Sequence, residues 1–237
     1  MKQPVYLLAG GRRRSGNRPD PLIRLIMNEI TGICRRAPLL AYIGAASEDD
    51  AGFYRMMADV FLRAGAAQVQ HLITLPPTAD LRKVREGLEQ ADGIFISGGD
   101  VEMGMQVLIE KKLSEFLVKL YHGGKPFFGL SAGSIMLARE WVRWRNPDDD
   151  STAELFPCLG IVPVICDTHA EEDDWVELKT ALKLEKSGTA GYGIPSGTGL
   201  KCLPDGQVES LGGPIVRYAN QNGTIIRLPD LQPLSSQ

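Results

Sequence analysis

Four apolar segments of this chain run directly into small residues: LLAGG, YIGAAS, FISGGD and GLSAGS. Each reads as a short buried strand, and helix-like segments with apolar residues at helical spacing alternate with them. Such alternation predicts a mostly parallel sheet with helices on both faces. In open sheets of this kind, ligands bind beyond the carboxyl ends of the strands. Glycine at that edge lets backbone approach a ligand closely. A single turn of this type equally suits a tight strand-to-helix connection. Four on one edge point to a site.

The strand segments are VYLLAGG, LLAYIGAAS, VQHLITL, GIFISGG and PFFGLSAG. Between them lie the helical stretches PLIRLIMNEITGICRR, DAGFYRMMADVFLRAGA and ADLRKVREGLEQA, the last opening at Asp80. EMGMQVLIEKKLSEFLVKLYHGG reads as one helix closing on glycine. The pattern changes after Arg139. RWRNPDDDST is polar and loop-like, and CLGIVPVICDTH is strand-like but interrupted by prolines. DDWVELKTALKLEKSG is predicted as a helix capped by Asp173 or Asp174. The short strands AGYGIP, TGLKCLP, GQVESLG, PIVRYANQ and TIIRLP follow, with DG and NG turns marking hairpins. Neither a repeat nor a linker is visible. The expectation is a single α/β domain over residues 1–237, with a β-rich C-terminal segment.

Composition narrows the function classes. Hydrophobic residues make up 43% and charged residues 23% of the chain, as in ordinary globular proteins. A net charge of -3 gives no global pull toward nucleic acid or an anionic membrane. No apolar run approaches the roughly 20 residues that a membrane helix needs, and the N-terminus lacks a signal-peptide pattern. Cys34, Cys158, Cys166 and Cys202 form neither a CxxC pair nor a zinc pattern. They read as reduced core thiols of a cytoplasmic protein. No metal and no cofactor is expected.

GLSAG fits the pattern G-x-S-x-G, in which a sharp strand-to-helix turn exposes the serine oxygen above the sheet. Ser131 is therefore the candidate nucleophile, with the Ala132 N–H suited to an oxyanion. A serine needs a base. His122 ends a helix before GGKP, on the sheet edge opposite Ser131, and His71 lies inside a strand. His169 follows VPVICDT and can face the site, which makes it the candidate base. The third member stays open among Asp148, Asp149, Asp150, Glu154, Glu171 and Glu172. The competing readings are a solvated loop for DDD and a helix N-terminal charge cluster for EEDD.

These residues together resemble the serine peptidases that include aspartyl dipeptidase (dipeptidase E) and cyanophycinase, which share the class I glutamine amidotransferase-like, flavodoxin-like fold. The resemblance runs from about Val5 to Asn220, through ISGGDVEMGMQVL, FFGLSAGSIMLA, LGIVPVICDTH and GYGIPSGTGLKCLPDGQVESLGGPIVRY. It implies Ser131 as nucleophile, His169 as base, and an oxyanion hole from Ala132 and a glycine of the ISGG turn, Gly98 or preferably Gly99. It also implies a third member near Asp148, as in the dipeptidases. The cyanophycinase alternative, a late glutamate, falls here on Ser196. Asp100 stands where the family usually has asparagine and is expected to point away from the oxyanion hole. The segment after His169, AEEDDWVELK, lacks the arginine that reads an aspartyl substrate in the dipeptidases.

One local feature can compensate. Arg12, Arg13, Arg14 and Arg18 leave the first strand at the same edge as Ser131 and suit bidentate carboxylate recognition; a solvated basic loop is the competing reading. The expected function is a serine-type hydrolase of short peptides or isopeptides, with no nucleic-acid or membrane partner and a homodimer as the oligomer considered. The alternative is a catalytically impaired amidotransferase-like domain that binds a small ligand or protein partner.

Overall fold

The computed structural model describes residues 1–11, 20–75 and 79–234. Its first part alternates β1 (Val5–Leu8), α1 (Pro21–Cys34), β2 (Leu39–Ile43), α2 (Ala51–Ala64), β3 (Gln68–Leu72), α3 (Leu81–Gln90), β4 (Gly93–Ile96), α4 (Val101–Glu110), α5 (Ser114–His122), β5 (Phe127–Leu130) and α6 (Ala132–Leu137). Then come β6 (Glu140–Trp144), β7 (Ala153–Pro157), β8 (Ile165–Thr168), α7 (Val176–Leu184) and β9 (Ala190–Ile194). The chain closes with β10 (Gly199–Cys202), β11 (Val208–Leu211), β12 (Ile215–Gln221) and β13 (Thr224–Leu231).

Among the described residues these strands form three sheets. The largest has the order β11-β10-β1-β5-β4-β2-β3. Its strands β1, β5, β4, β2 and β3 run parallel, as the alternation predicts, while β10 and β11 extend it antiparallel. A second sheet has the order β13-β12-β9-β8, and β6 pairs with β7 in a hairpin.

The period-2 geometry of the strands sorts the core into two layers. Leu7, Ile43, Ile96 and Phe127 face the layer covered by α3 to α6. Tyr6, Leu8, Tyr42, Phe95 and Phe128 face α1 and α2. There Phe61 meets Phe95 and Phe128 at ring separations of 4.8 and 5.5 Å. Each such buried ring contributes roughly 1.5–3 kcal/mol. The helix starts follow their capping residues: Asp20 accepts from Leu22 N–H and Ile23 N–H, and Asp80 from Arg82 N–H and Lys83 N–H.

The structure departs from the sequence expectation in three places. The single helix expected over 102–124 is two, α4 and α5. Lys112 is left-handed at φ 54°, with Lys112 N–H bonding Ile109 O and Leu113 N–H bonding Leu108 O. This is a Schellman closure with lysine where glycine is usual, and it turns Leu113 fully into the core. The polar stretch after Arg139 is flanked by paired strands rather than being only a loop: Arg143 and Arg145 both bridge Glu154 across the β6–β7 hairpin. Finally, α7 is preceded by Trp175 at φ 60°, not capped by an aspartate side chain. Two of the four cysteines, Cys166 and Cys202, are buried thiols; Cys34 and Cys158 are partly exposed. No helix among the described residues is long and apolar enough to cross a membrane.

The second sheet is seated on the first through backbone bonds at the end of α6. Leu159 N–H bonds Met136 O, Gly160 N–H bonds Ala138 O, Val162 N–H bonds Leu137 O, and Arg139 N–H bonds Val164 O. The helix itself lies directly on the strands. A Cβ on Gly133 would come 2.1 Å from Ile96 O, and one on Gly129 would come 2.5 Å from the Gly133 carbonyl carbon. Both glycines of the G-x-S-x-G pattern thus permit contact of backbone with backbone. Gly133→Ala is expected to destabilise the fold by about 1–3 kcal/mol or more, since rigid backbone must move. An unchanged urea midpoint would show that α6 is not so constrained.

Candidate active site

The tight seat of α6 fixes Ser131 between β5 and the helix at φ 52° and ψ -123°. A non-glycine residue there carries strain of about 1–3 kcal/mol. Ser131 N–H bonds Leu8 O of the neighbouring strand, so the turn is anchored to the sheet edge. His169 reaches it from the end of β8. It too is left-handed, at φ 46°, and its N–H bonds Ile194 O at the end of β9. The Ser131 Oγ lies 2.6 Å from His169 Nε2. With the hydroxyl donating, the imidazole carries its proton on Nδ1.

Both residues line a cleft of about 350 Å³, together with Gly99, Asp100, Ala132, Trp141, Asp167, Asp173 and Glu177. The Ala132 N–H opens α6 and has no intrahelical carbonyl to bond. Gly99 is held beside it in a turn pinned by Ser97 N–H to Ile43 O and Asp100 N–H to Ala46 O. At φ 139°, with Ala46 O only 1.8 Å from where a Cβ would stand, only glycine fits there. Its neighbour Gly98 packs against the Ser131 Cβ. Asp100 caps α4 by accepting from Met103 N–H at 2.7 Å, which gives its carboxylate a bond at the helix start.

Asp148 is not brought to His169. It lies in the β6–β7 connection, where its N–H bonds Asn146 Oδ1, and it does not line the cleft. The hairpin that the sequence hides is the reason, because it carries the DDD stretch outward. Asp149 closes that connection by accepting from Ser151, and Glu154 is taken by Arg143 and Arg145. Arg12, Arg13, Arg14 and Arg18 lie outside the described residues. His122 ends α5, and His71 is packed in β3 against Tyr54 with ring centroids 4.3 Å apart.

Among the described residues no carboxylate oxygen lies within 4.0 Å of a His169 nitrogen; the histidine so paired is His71, 3.8 Å from Asp49. Two glutamates nevertheless lie near enough to feel the imidazole through space, Glu171 and Glu177. Glu171 accepts from Ser196 N–H at 2.6 Å. Burial pushes this carboxyl up, but the Ser196 bonds and the nearby imidazole outweigh it and hold it below the usual carboxylate range. Glu177 accepts from Trp141 Nε1 at 2.8 Å; burial pushes it above that range, against the pull of Trp141.

Sequence reasoning missed Asp167, Trp141 and Glu177. The one signal for Asp167 was its place in the strand-like run that leads into His169. The Asp167 Oδ1 accepts from Thr168 N–H at 2.7 Å, and its buried Oδ2 has no fully formed hydrogen bond. Burial, with Glu177 adding, pushes this carboxyl up to about 7.

The sequence pattern of peptidase family S51 matches residues 6–209. The chain belongs to peptidase family S51. The S51 chain is 35% identical over 101 residues to peptidase E of Streptomyces coelicolor, a stretch covering 40% of this chain and 41% of that one. It is 25% identical over 179 residues to the cyanophycinase of Trichormus variabilis, covering 73% and 60%. The chain thus spans about half the length of these relatives. A crystal structure of a peptidase from an acI-B1 actinobacterium superposes with a TM-score of 0.71 at 18% identity, covering 98% of this chain and 97% of that one. That likeness establishes a common fold.

The buried Asp167 binds its proton more tightly folded than unfolded, so it opposes folding increasingly as pH rises from about 4 toward 7. Asp167→Asn keeps an acceptor for Thr168 N–H and removes that cost. It is expected to raise stability at pH 8 by about 1–3 kcal/mol and to give no gain near pH 4. Chemical denaturation at the two pH values tests this, and a loss at pH 8 would contradict it.

Proposed function

We propose that this protein is a serine peptidase of short peptides or isopeptides in which Ser131 is the nucleophile and His169 the general base. The observation that carries the reading is the 2.6 Å contact between Ser131 Oγ and His169 Nε2, made by a serine held at a strained strand-to-helix turn. Ser131 attacks the carbonyl carbon while its proton passes to Nε2. The N–H groups of Ala132 and Gly99 receive the developing oxyanion. His169 then gives the proton to the leaving amine, and water hydrolyses the acyl-enzyme by the reverse roles.

The imidazolium formed in the first step needs a negative neighbour. Glu171 is the favoured one. It is held ionised by Ser196, the position at which cyanophycinases supply a glutamate, so an acid reaches that neighbourhood from another part of the chain. Its effect would be electrostatic, across the gap that separates it from the ring.

A fluorophosphonate probe is expected to label the wild type and not Ser131→Ala. His169→Ala should lower kcat/KM on a cleaved dipeptide by about 10²–10⁴-fold. Glu171→Gln should lower kcat about tenfold or more, with Asp148→Asn within twofold of wild type. Equal labelling of wild type and Ser131→Ala would remove Ser131 from the mechanism.

That no described carboxylate lies close to His169 favours one competing reading, a binding domain without turnover. Hydrolysis in a dipeptide screen that disappears in His169→Ala counts against it.

A further inference from the structure

The cleft beside Ser131 has a charge pattern that proton transfer does not use. Asp167, Asp173 and Glu177 line one side of it, Asp100 lies on the other, and no described lysine or arginine lines it. Three basic side chains of the neighbouring elements are committed elsewhere. Arg143 pairs with Glu102 and Glu154, Arg139 with Glu140 and Glu185, and Lys179 with Asp174.

Structural roles account for only part of these acids. Asp173 spends one oxygen on Trp175 N–H, and Glu177 one on Trp141. Asp167 is 4% exposed, spends Oδ1 on Thr168 N–H and leaves Oδ2 without a fully formed hydrogen bond, the Leu178 N–H at the start of α7 being the backbone donor that still acts on the carboxyl. A buried carboxylate oxygen without a full hydrogen bond is costly unless something else supplies the donor. Trp141 adds an indole to the same wall, and an aromatic ring beside carboxylates suits an organic cation. Among the described residues no three acid, histidine or cysteine side chains are grouped so as to hold a metal ion.

We infer that this wall is a substrate subsite for a cationic group, an ammonium or a guanidinium, held by Asp167, Asp173 and Glu177 beside the Trp141 ring. The assignment rests on the hydrolase reading of Ser131, and it makes the substrate basic at the residue adjoining the scissile bond or at a free N-terminus. An acidic substrate side chain would be repelled from the same wall.

Binding to Ser131→Ala protein, measured by isothermal titration, tests the subsite without requiring turnover. N-acetylargininamide presents a guanidinium alone, leucinamide an N-terminal ammonium alone, N-acetylleucinamide no charge, and N-acetylaspartamide an anion. At least one of the two cations is expected to bind about tenfold or more tighter than the neutral amide, and which one identifies the source of the charge. That preference should fall below about threefold when Glu177→Gln or Asp167→Asn is added, each variant being checked for a native unfolding transition. Equal binding of all four compounds, tighter binding of the anion, or a preference that survives both substitutions would overturn the assignment. Failure of the hydrolase reading is separately visible, as absence of fluorophosphonate labelling at Ser131 in the wild type.

Discussion

Everything at the site depends on the contact of α6 with the strands beneath it. The helix sits so close that Gly133 meets the carbonyl of Ile96 and Gly129 meets Gly133, with no room for a Cβ at either place. The chain can enter that contact only by reversing sharply at Ser131, which is why a serine holds a backbone conformation that ordinary residues avoid. The strain stays small beside the burial that surrounds it: Ile96, Phe127, Phe128, Met136 and Leu137 are all fully enclosed. The same contact leaves the Ala132 N–H unspent and sets it beside the turn that carries Gly99.

Around this rigid centre the electrostatics are unusual. Acidic side chains crowd a cleft that holds an imidazole, and burial works against two of them, Asp167 and Glu177. Glu171 is the exception, because the Ser196 N–H and hydroxyl compensate its burial. Two carboxyls that resist ionisation and one that favours it, grouped around one histidine, divide naturally into different roles. The proposed cation subsite draws on the raised pair, and the proposed stabilisation of the ring on the lowered one.

Much of this was legible in the sequence. The strand segments ending in glycine, the helix opening at Asp80, and a histidine that follows a strand-like run all announce themselves through periodicity or local chemistry. What stayed hidden had no local marker. A Schellman closure built on Lys112 lacks the glycine that usually signals it. The β6–β7 hairpin is held by Arg143, Arg145 and Glu154, so its strands read as polar loop and Asp148 reads as nearer to His169 than it is. The meeting of Glu171 with Ser196 joins segments 25 residues apart and depends on how β9 lies beside β8. Of the acids of the cleft, Asp173 was visible within the EEDD cluster, but only the fold joins it to Asp167 and Glu177.

Ser131 belongs to the large sheet and His169 to the second one, and the two are registered by main-chain bonds between the end of α6 and the segment leading into β8. Those bonds involve no side chain of the cleft. In the proposed reading, the reacting pair is thus aligned by one set of atoms and the chemistry of the bound group is chosen by another. Asp173 and Glu177 make none of those main-chain bonds. On the proposed hydrolase reading, a scaffold divided in this way lets one centre be re-addressed to differently charged substrates by exchanging its walls alone.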